Sequence, residues 1–104
     1  MALADALEEL GYRVNCCGTG FDAYNYLEME DSIAVIVTDI KLGEGPNGWD
    51  VARKARQCFP EAPIVYITGD SAADFGEESV PKSVLIQKPF ASSQLVAAVS
   101  SLSS

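Results

Sequence analysis

Two six-residue apolar runs constrain the fold of this chain more than any other feature. Residues 33–38 read IAVIVT and residues 63–68 read PIVYIT. Strands that are apolar on both faces are typical of a parallel sheet covered by helices on both sides. Between the runs, residues 48–59 have the apolar spacing of an amphipathic helix, and Pro60 follows them. The two runs therefore predict neighbouring strands of an α/β sheet.

The rest of the sequence continues this alternation of strands and helices. Gly76 and Pro81 interrupt the region after the second run, so that only residues 72–75 are expected to be helical there. Further strands are predicted at residues 12–17 and 83–87, and further helices at residues 2–10, 21–29 and 92–102. This order predicts a single α/β domain over residues 1–104, with a parallel sheet covered by helices on both faces and no output domain.

Composition excludes several kinds of function. Fifteen acidic residues against seven basic ones give a net charge of −8, and such a surface repels nucleic-acid phosphates. No apolar run approaches the roughly 20 residues that span a membrane. The absence of histidine excludes Ser-His-Asp catalysis and the usual zinc ligand sets. Cys16, Cys17 and Cys58 show no CxxC spacing, so we expect reduced, mostly buried thiols in a cytoplasmic protein.

Polar residues end three successive predicted strands, and they are Asp39, Thr68 and Lys88. The carboxyl ends of parallel strands meet at one edge of a sheet, so these side chains should converge. A carboxylate nucleophile, a hydroxyl and an ammonium suit a phosphoryl group, with a hard cation such as Mg²⁺ neutralising further charge. Each residue also has a simpler role open to it, as a turn cap, a strand residue or a solvated strand end.

The runs IVTDIKL, NGWDVARKAR, PIVYITGD and VLIQKPF, in this order, resemble the response-regulator receiver family of bacterial two-component signalling. The resemblance implies a flavodoxin-like, doubly wound parallel sheet whose first, central strand is missing from this chain. It also implies that Asp39 accepts a phosphoryl group from a histidine kinase or phosphotransfer protein. Thr68 and Lys88 would contact that group, and Mg²⁺ would bind Asp39 and the backbone carbonyl of Lys41. A domain of this kind is not an enzyme toward other substrates and catalyses at most its own phosphorylation and dephosphorylation.

Three finer expectations also come from the resemblance alone. Gly69 would leave room for the phosphoryl group, and Lys41 and Asp70 would control access of hydrolytic water. The Lys88–Pro89 peptide bond would be cis.

Two features depart from the family pattern. Receivers open with an apolar strand that ends in two metal-binding acids, whereas this sequence opens in the helix that follows such a strand. Mg²⁺ binding should therefore be weakened, and a gap is expected between an edge strand at residues 12–17 and a central strand at residues 33–38. A clipped or mis-started sequence, a partner chain such as a second copy, or a sheet that slides closed would each account for it. Leu85 also stands where family members usually have an aromatic residue.

Three other functions are alternatives to that of a phosphoacceptor. A pseudo-receiver would keep the fold as a protein-interaction module without accepting phosphate. Gly43, Gly45 and Gly48 form a literal GxGxxG, but Glu44 would repel a dinucleotide pyrophosphate. A phosphatase of the haloacid dehalogenase type would require a second aspartate two residues after the nucleophile, but Lys41 occupies that position.

Overall fold

The fold follows the predicted alternation of helices and strands. The computed structural model describes residues 2–69 and 75–103. Within those residues the elements are α1 (Ala2–Glu9), α2 (Gly20–Met29), β1 (Ile36–Asp39), α3 (Gly48–Cys58), β2 (Ile64–Thr68), α4 (Phe75–Glu78), β3 (Ser83–Gln87) and α5 (Ser92–Ser103).

The strands form one parallel sheet in the order β1–β2–β3. In the ladder Asp39 lies opposite Ile67, and Thr68 lies opposite Gln87. The helices α2 and α3 pack together beside one face, and α1 and α5 pack together beside the other. This arrangement confirms the doubly wound α/β architecture and brings the carboxyl ends of the three strands to a single edge.

The strand β2 forms the centre of the core, and all five of its residues are buried. Tyr66 packs in a cluster with Trp49 and other residues of α3. Val65 and Ile67 face the opposite side and pack with α5 residues such as Leu95. The prediction that the run PIVYIT is a strand buried on both faces is therefore confirmed.

The prediction of a strand at residues 12–17 is wrong, because the backbone of these residues is irregular. A cavity of about 490 Å³ lies between this segment and β1. Its lining is mainly apolar and includes Leu7, Val14, Leu27 and Val37. A strand needs a neighbour that pairs with its N–H and C=O groups, and the cavity separates residues 12–17 from β1. The expected gap is thus present, and the sheet does not slide closed over it.

The same gap changes β1, which was predicted as a central strand at residues 33–38. It starts only at Ile36, whose N–H donates to the carbonyl of Pro63 at 3.0 Å, just before β2 begins. Ile36 and Val37 are half-buried rather than buried. Among the described residues no strand pairs with the outer edge of β1, so its backbone pairs only with β2.

The prediction that the three cysteines are mostly buried is also wrong. Cys16, Cys17 and Cys58 are exposed free thiols. Cys16 and Cys17 belong to the segment that is separated from the sheet, while Cys58 ends α3. Desolvation, with a smaller contribution from Asp22, raises the pKa of the Cys17 thiol, so this thiol stays protonated at neutral pH.

The short helix before β3, predicted at residues 72–75, continues beyond residue 75. Residues 72–74 lie outside the described residues, as does Asp70, and α4 runs from Phe75 through Gly76 to Glu78. Phe75 packs edge-on against the ring of Tyr66 with ring centroids 6.1 Å apart. This tertiary contact outweighs the low helix propensity of Gly76.

An apolar strand placed in the cavity should stabilise the domain. We expect a five-residue apolar strand, joined ahead of residue 1 by a short turn, to pair with β1 and bury its side chains. Burial of these side chains stabilises the domain, and ordering each added residue costs about 1.5 kcal/mol of conformational entropy. The net gain in unfolding free energy should be about 2 kcal/mol or more. Urea denaturation measures this, with an extension of equal length made of Ser and Gly as the control. Equal midpoints for the two extensions would contradict the prediction.

Candidate functional site

The edge of the sheet brings together two of the predicted site residues by direct contact. The Nζ atom of Lys88 lies 3.0 Å from Oδ1 of Asp39. The two side chains are 51% and 43% exposed, so solutes can reach both of them. An ion pair this exposed contributes only about 0–1 kcal/mol to stability, and a competing anion can replace one of its partners at little cost.

Thr68 lies beside this pair and is buried at 7% exposure. It ends β2, and its backbone carbonyl accepts a hydrogen bond of 2.7 Å from the N–H of Lys88. On the other side of β2, the N–H of Ile40 donates to the carbonyl of Ile67 at 3.1 Å. Backbone bonds therefore tie the residues after β1 and β3 to the end of β2. The Lys88–Pro89 bond is cis, as expected.

Backbone contacts hold the loop after Asp39 tightly. The N–H of Gly48 donates to the carbonyl of Ile40 at 2.7 Å. A Cβ atom at Gly48 would overlap the carbonyl oxygen of Asp39 and lie 2.7 Å from the Cα of Ile40. Asn47 and Asp50 form a reciprocal capping box with two hydrogen bonds of 3.0 Å, which fixes the start of α3.

These contacts explain the GxGxxG pattern without a nucleotide. Gly43 and Gly45 have φ angles of +79° and +89°, a region that side chains other than glycine rarely adopt. A Cβ atom at Gly45 would also overlap the ring of Phe21. The glycines therefore serve the turn and its packing against α2.

The described residues do not by themselves form a magnesium site. Among them no three acidic, cysteine or histidine side chains lie close enough to hold a metal ion. Asp39 supplies one carboxylate, and its Oδ1 already pairs with Lys88. Mg²⁺ demands six ligands in near-ideal octahedral geometry. Mg²⁺ binding by Asp39 and the Lys41 carbonyl therefore stays a prediction that requires further oxygen ligands.

One structural residue at the opposite edge of the sheet from the site could not be found from the sequence. The guanidinium of Arg56 donates through Nη1 to the carbonyls of Phe59, Pro60 and Ala62, and through Nη2 to those of Pro81 and Lys82. It thereby ties the turn before β2 to the turn before β3. Its sequence position shows only a basic residue in the last turn of a helix, because its acceptors are backbone groups.

Comparison with known proteins identifies the family. Residues 1–100 match the family model of the response regulator receiver domain. The chain belongs to this family. Both the resemblance in the sequence motifs and the α/β fold are consistent with that membership.

Individual receivers resemble this domain along most of its length. The response regulator receiver protein CpdR of Brucella abortus is 34% identical over 90 residues, which cover 85% of this chain and 73% of that protein. A response regulator receiver protein from Sinorhizobium medicae is 40% identical with a TM-score of 0.92, over 97% of this chain and 82% of that chain.

A more distant structure shares only the fold. The receiver domain of a signal transduction histidine kinase from Syntrophus aciditrophicus is 22% identical with a TM-score of 0.82, over 98% of this chain and 79% of that chain. None of the helices in the described part of this receiver is long and apolar enough to cross a membrane.

Replacement of Gly48 should show how closely the loop packs on Asp39. We expect Gly48→Ala to lower the unfolding free energy by about 1–3 kcal/mol, because the added methyl group forces the backbone apart. Gly76→Ala is the matched control, since no atom of the described residues outside its own helix backbone lies within 4 Å of its Cβ position. The unfolding free energy of this control should instead rise by about 0.4–1 kcal/mol. Denaturation curves of the two variants measure this, and equal stabilities would contradict the close packing at Gly48.

Proposed function

We propose that this receiver accepts a phosphoryl group on Asp39 from a phosphohistidine of a histidine kinase or phosphotransfer protein. The observation that supports this most strongly is the Asp39–Lys88 pair at the carboxyl edge of a parallel sheet in a receiver fold. A reachable carboxylate supplies the nucleophile, and the adjacent ammonium supplies positive charge where phosphoryl charge must be neutralised.

The transfer conserves atoms and charge in a simple way. The ring nitrogen of the donor that carries no phosphoryl group takes up a proton from solvent water. A carboxylate oxygen of Asp39 attacks phosphorus, the phosphorus–nitrogen bond breaks, and the donor leaves as a neutral imidazole. Lys88 then pairs with a phosphoryl oxygen instead of Oδ1 of Asp39, and the Thr68 hydroxyl donates to another phosphoryl oxygen. Water later hydrolyses the acyl phosphate and restores the carboxylate. The domain thus acts on itself and is not an enzyme toward other substrates.

Full activity in this proposal depends on an extended strand in the cavity beside β1. Such a strand would pair with the outer edge of β1 and could bring carboxylates to the end where Asp39 lies. A second copy of the chain is one source, and a homodimer would then complete the sheet. The net charge of −8 favours protein partners over nucleic acid. A histidine kinase or phosphotransfer protein as the donor implies a cytoplasmic location.

One observation favours the pseudo-receiver as a second candidate. Among the described residues no three acidic, cysteine or histidine side chains lie close enough to hold a metal ion, and Oδ1 of Asp39 already pairs with Lys88. A chain of this kind could keep the receiver fold as an interaction module. The two candidates differ in whether Asp39 becomes phosphorylated.

Labelling with a small phosphodonor separates these candidates. We expect acetyl phosphate with Mg²⁺ to add one phosphoryl group slowly or not at all to this chain, because too few carboxylates surround the cation. A chain extended by an apolar strand that ends in two acids should label faster. Intact mass measures the addition.

Two variants locate the acceptor in the extended chain. Asp39→Asn should abolish labelling, whereas Asp31→Asn, which changes an exposed acid near the opposite end of β1, should label normally. Labelling of the Asp39→Asn protein would contradict the acceptor assignment. Rapid Mg²⁺-dependent labelling of the unextended chain would show that additional carboxylates are dispensable.

Thr68 and Lys88 should affect the response to phosphate more than the addition of phosphate. In the extended chain, Thr68→Ala and Lys88→Ala should still label, because neither side chain is the nucleophile. The fluorescence change of Trp49, the only tryptophan, should shrink on labelling of either variant. A full fluorescence change in both variants would contradict a role for these groups in sensing the phosphoryl group.

A further inference from the structure

We propose that Tyr66 couples the Asp39–Lys88 ion pair to α4 and the turn that precedes β3, residues 75–82. The coupling is a property of the unphosphorylated chain, so it extends beyond the proposed phosphoacceptor function and does not require it. Asp39, Thr68 and Lys88 lie at the carboxyl ends of the strands, which we call the acceptor edge. Three consecutive sets of contacts connect this edge to residues 75–82.

The first set joins the ion pair to the end of β2. The side chain of Lys88 contacts the carboxylate of Asp39 at 3.0 Å. The backbone N–H of the same lysine donates to the carbonyl of Thr68 at 2.7 Å. A change in the charge or position of the Asp39 carboxylate therefore acts on Lys88 and, through its backbone, on the last residue of β2.

The second set begins with β2 itself, whose backbone connects Thr68 to Tyr66, and continues with the packing around the Tyr66 ring. Side chains two residues apart on a strand lie on the same face, so Tyr66 shares its face with Thr68. The ring is fully buried, and Trp49 lies against it with ring centroids 4.6 Å apart. Trp49 follows Gly48, which packs on the backbone of Asp39. In so dense a core, the ring cannot move without displacing its neighbours.

The third set joins Tyr66 to the segment at residues 75–82. The edge of its ring meets the ring of Phe75 on α4, with an interplanar angle of 81°. Its hydroxyl oxygen accepts a hydrogen bond of 3.3 Å from the N–H of Val80. Burial raises the pKa of this hydroxyl, so it remains uncharged at neutral pH. Tyr66 also lies directly opposite Leu85, so an aromatic residue stands on β2 where the neighbouring position on β3 lacks one.

A separate contact holds the same segment without passing through the acceptor edge. Nη2 of Arg53 on α3 lies 2.7 Å from Oε1 of Glu78, and the two side chains are 44% and 41% exposed. Removal of this ion pair should loosen α4. It should not alter how strongly a change at Asp39 affects residues 75–82. Glu78 therefore provides a matched control for Tyr66.

The test is a pair of double-mutant cycles read by hydrogen exchange of residues 75–82. Asp39→Asn breaks the ion pair with Lys88, and Tyr66→Phe removes only the hydroxyl. Tyr66→Phe alone should speed exchange of the Val80 amide about two- to tenfold, as expected for one lost hydrogen bond. Asp39→Asn should alter exchange across the segment by about two- to thirtyfold, the range of typical coupling energies.

Coupling through Tyr66 predicts non-additivity in one cycle only. The effect of Asp39→Asn should fall by at least half in the Tyr66→Phe background and stay unchanged in the Glu78→Gln background. Exchange of the α5 peptide, residues 92–102, which packs on the opposite face of the sheet from Tyr66, reports global opening and is used to normalise each variant. Phe75→Leu, which removes the ring edge, repeats the test if Tyr66→Phe destabilises the whole domain.

The proposal is overturned if Asp39→Asn leaves residues 75–82 unchanged or has the same effect in all backgrounds. Equal non-additivity with Glu78→Gln would show a general loosening of α4 and would also overturn it. Because no phosphodonor is used, a chain that fails to label at Asp39 refutes the proposed function while this experiment still decides the coupling.

Discussion

Parallel pairing of both neighbours to β2 sets the position of every group at the acceptor edge. The strands β1 and β3 lie on opposite sides of β2, so their backbones are about 10 Å apart, which is twice the spacing of adjacent strands. The register places Asp39 opposite Ile67 and Gln87 opposite Thr68. Only a long side chain can cross this distance, and Lys88 does so to reach Asp39 at 3.0 Å. A shift of one residue in either ladder would turn these side chains to the other face.

The open edge of β1 accounts for several features that look unrelated. The cavity leaves Ile36 and Val37 only half-buried and residues 12–17 without a strand partner. Cys16 and Cys17 are consequently exposed. The magnesium prediction is affected for the same reason, since carboxylates brought by a strand in this cavity would lie beside Asp39. One missing ladder therefore influences packing, cysteine exposure and the donor set of the site together.

The sequence was sufficient wherever structure depends on local pattern and on parallel topology. The run PIVYIT identified β2, and the apolar spacing at residues 48–59 identified α3, because both patterns reflect burial of the element itself. The proximity of Asp39 and Lys88 followed from the rule that parallel strands end at one edge. The strand at residues 12–17 failed because a strand also needs a partner, which no local pattern can supply. The contacts of Arg56 were not visible because its acceptors are backbone carbonyls far along the chain.

The acceptor edge combines a weak contact with rigid surroundings, and this combination suits a switch. The Asp39–Lys88 pair is half-exposed, so replacement of its carboxylate partner costs little. The strand between these residues is fully buried and packed on both faces, and it cannot absorb a displacement by local rearrangement. In the coupling that we propose, motion introduced where the contact is weak passes along β2 to groups that pack on it. Tyr66 contacts Phe75 and Val80, which places the receiving end of that motion at α4 and the turn before β3.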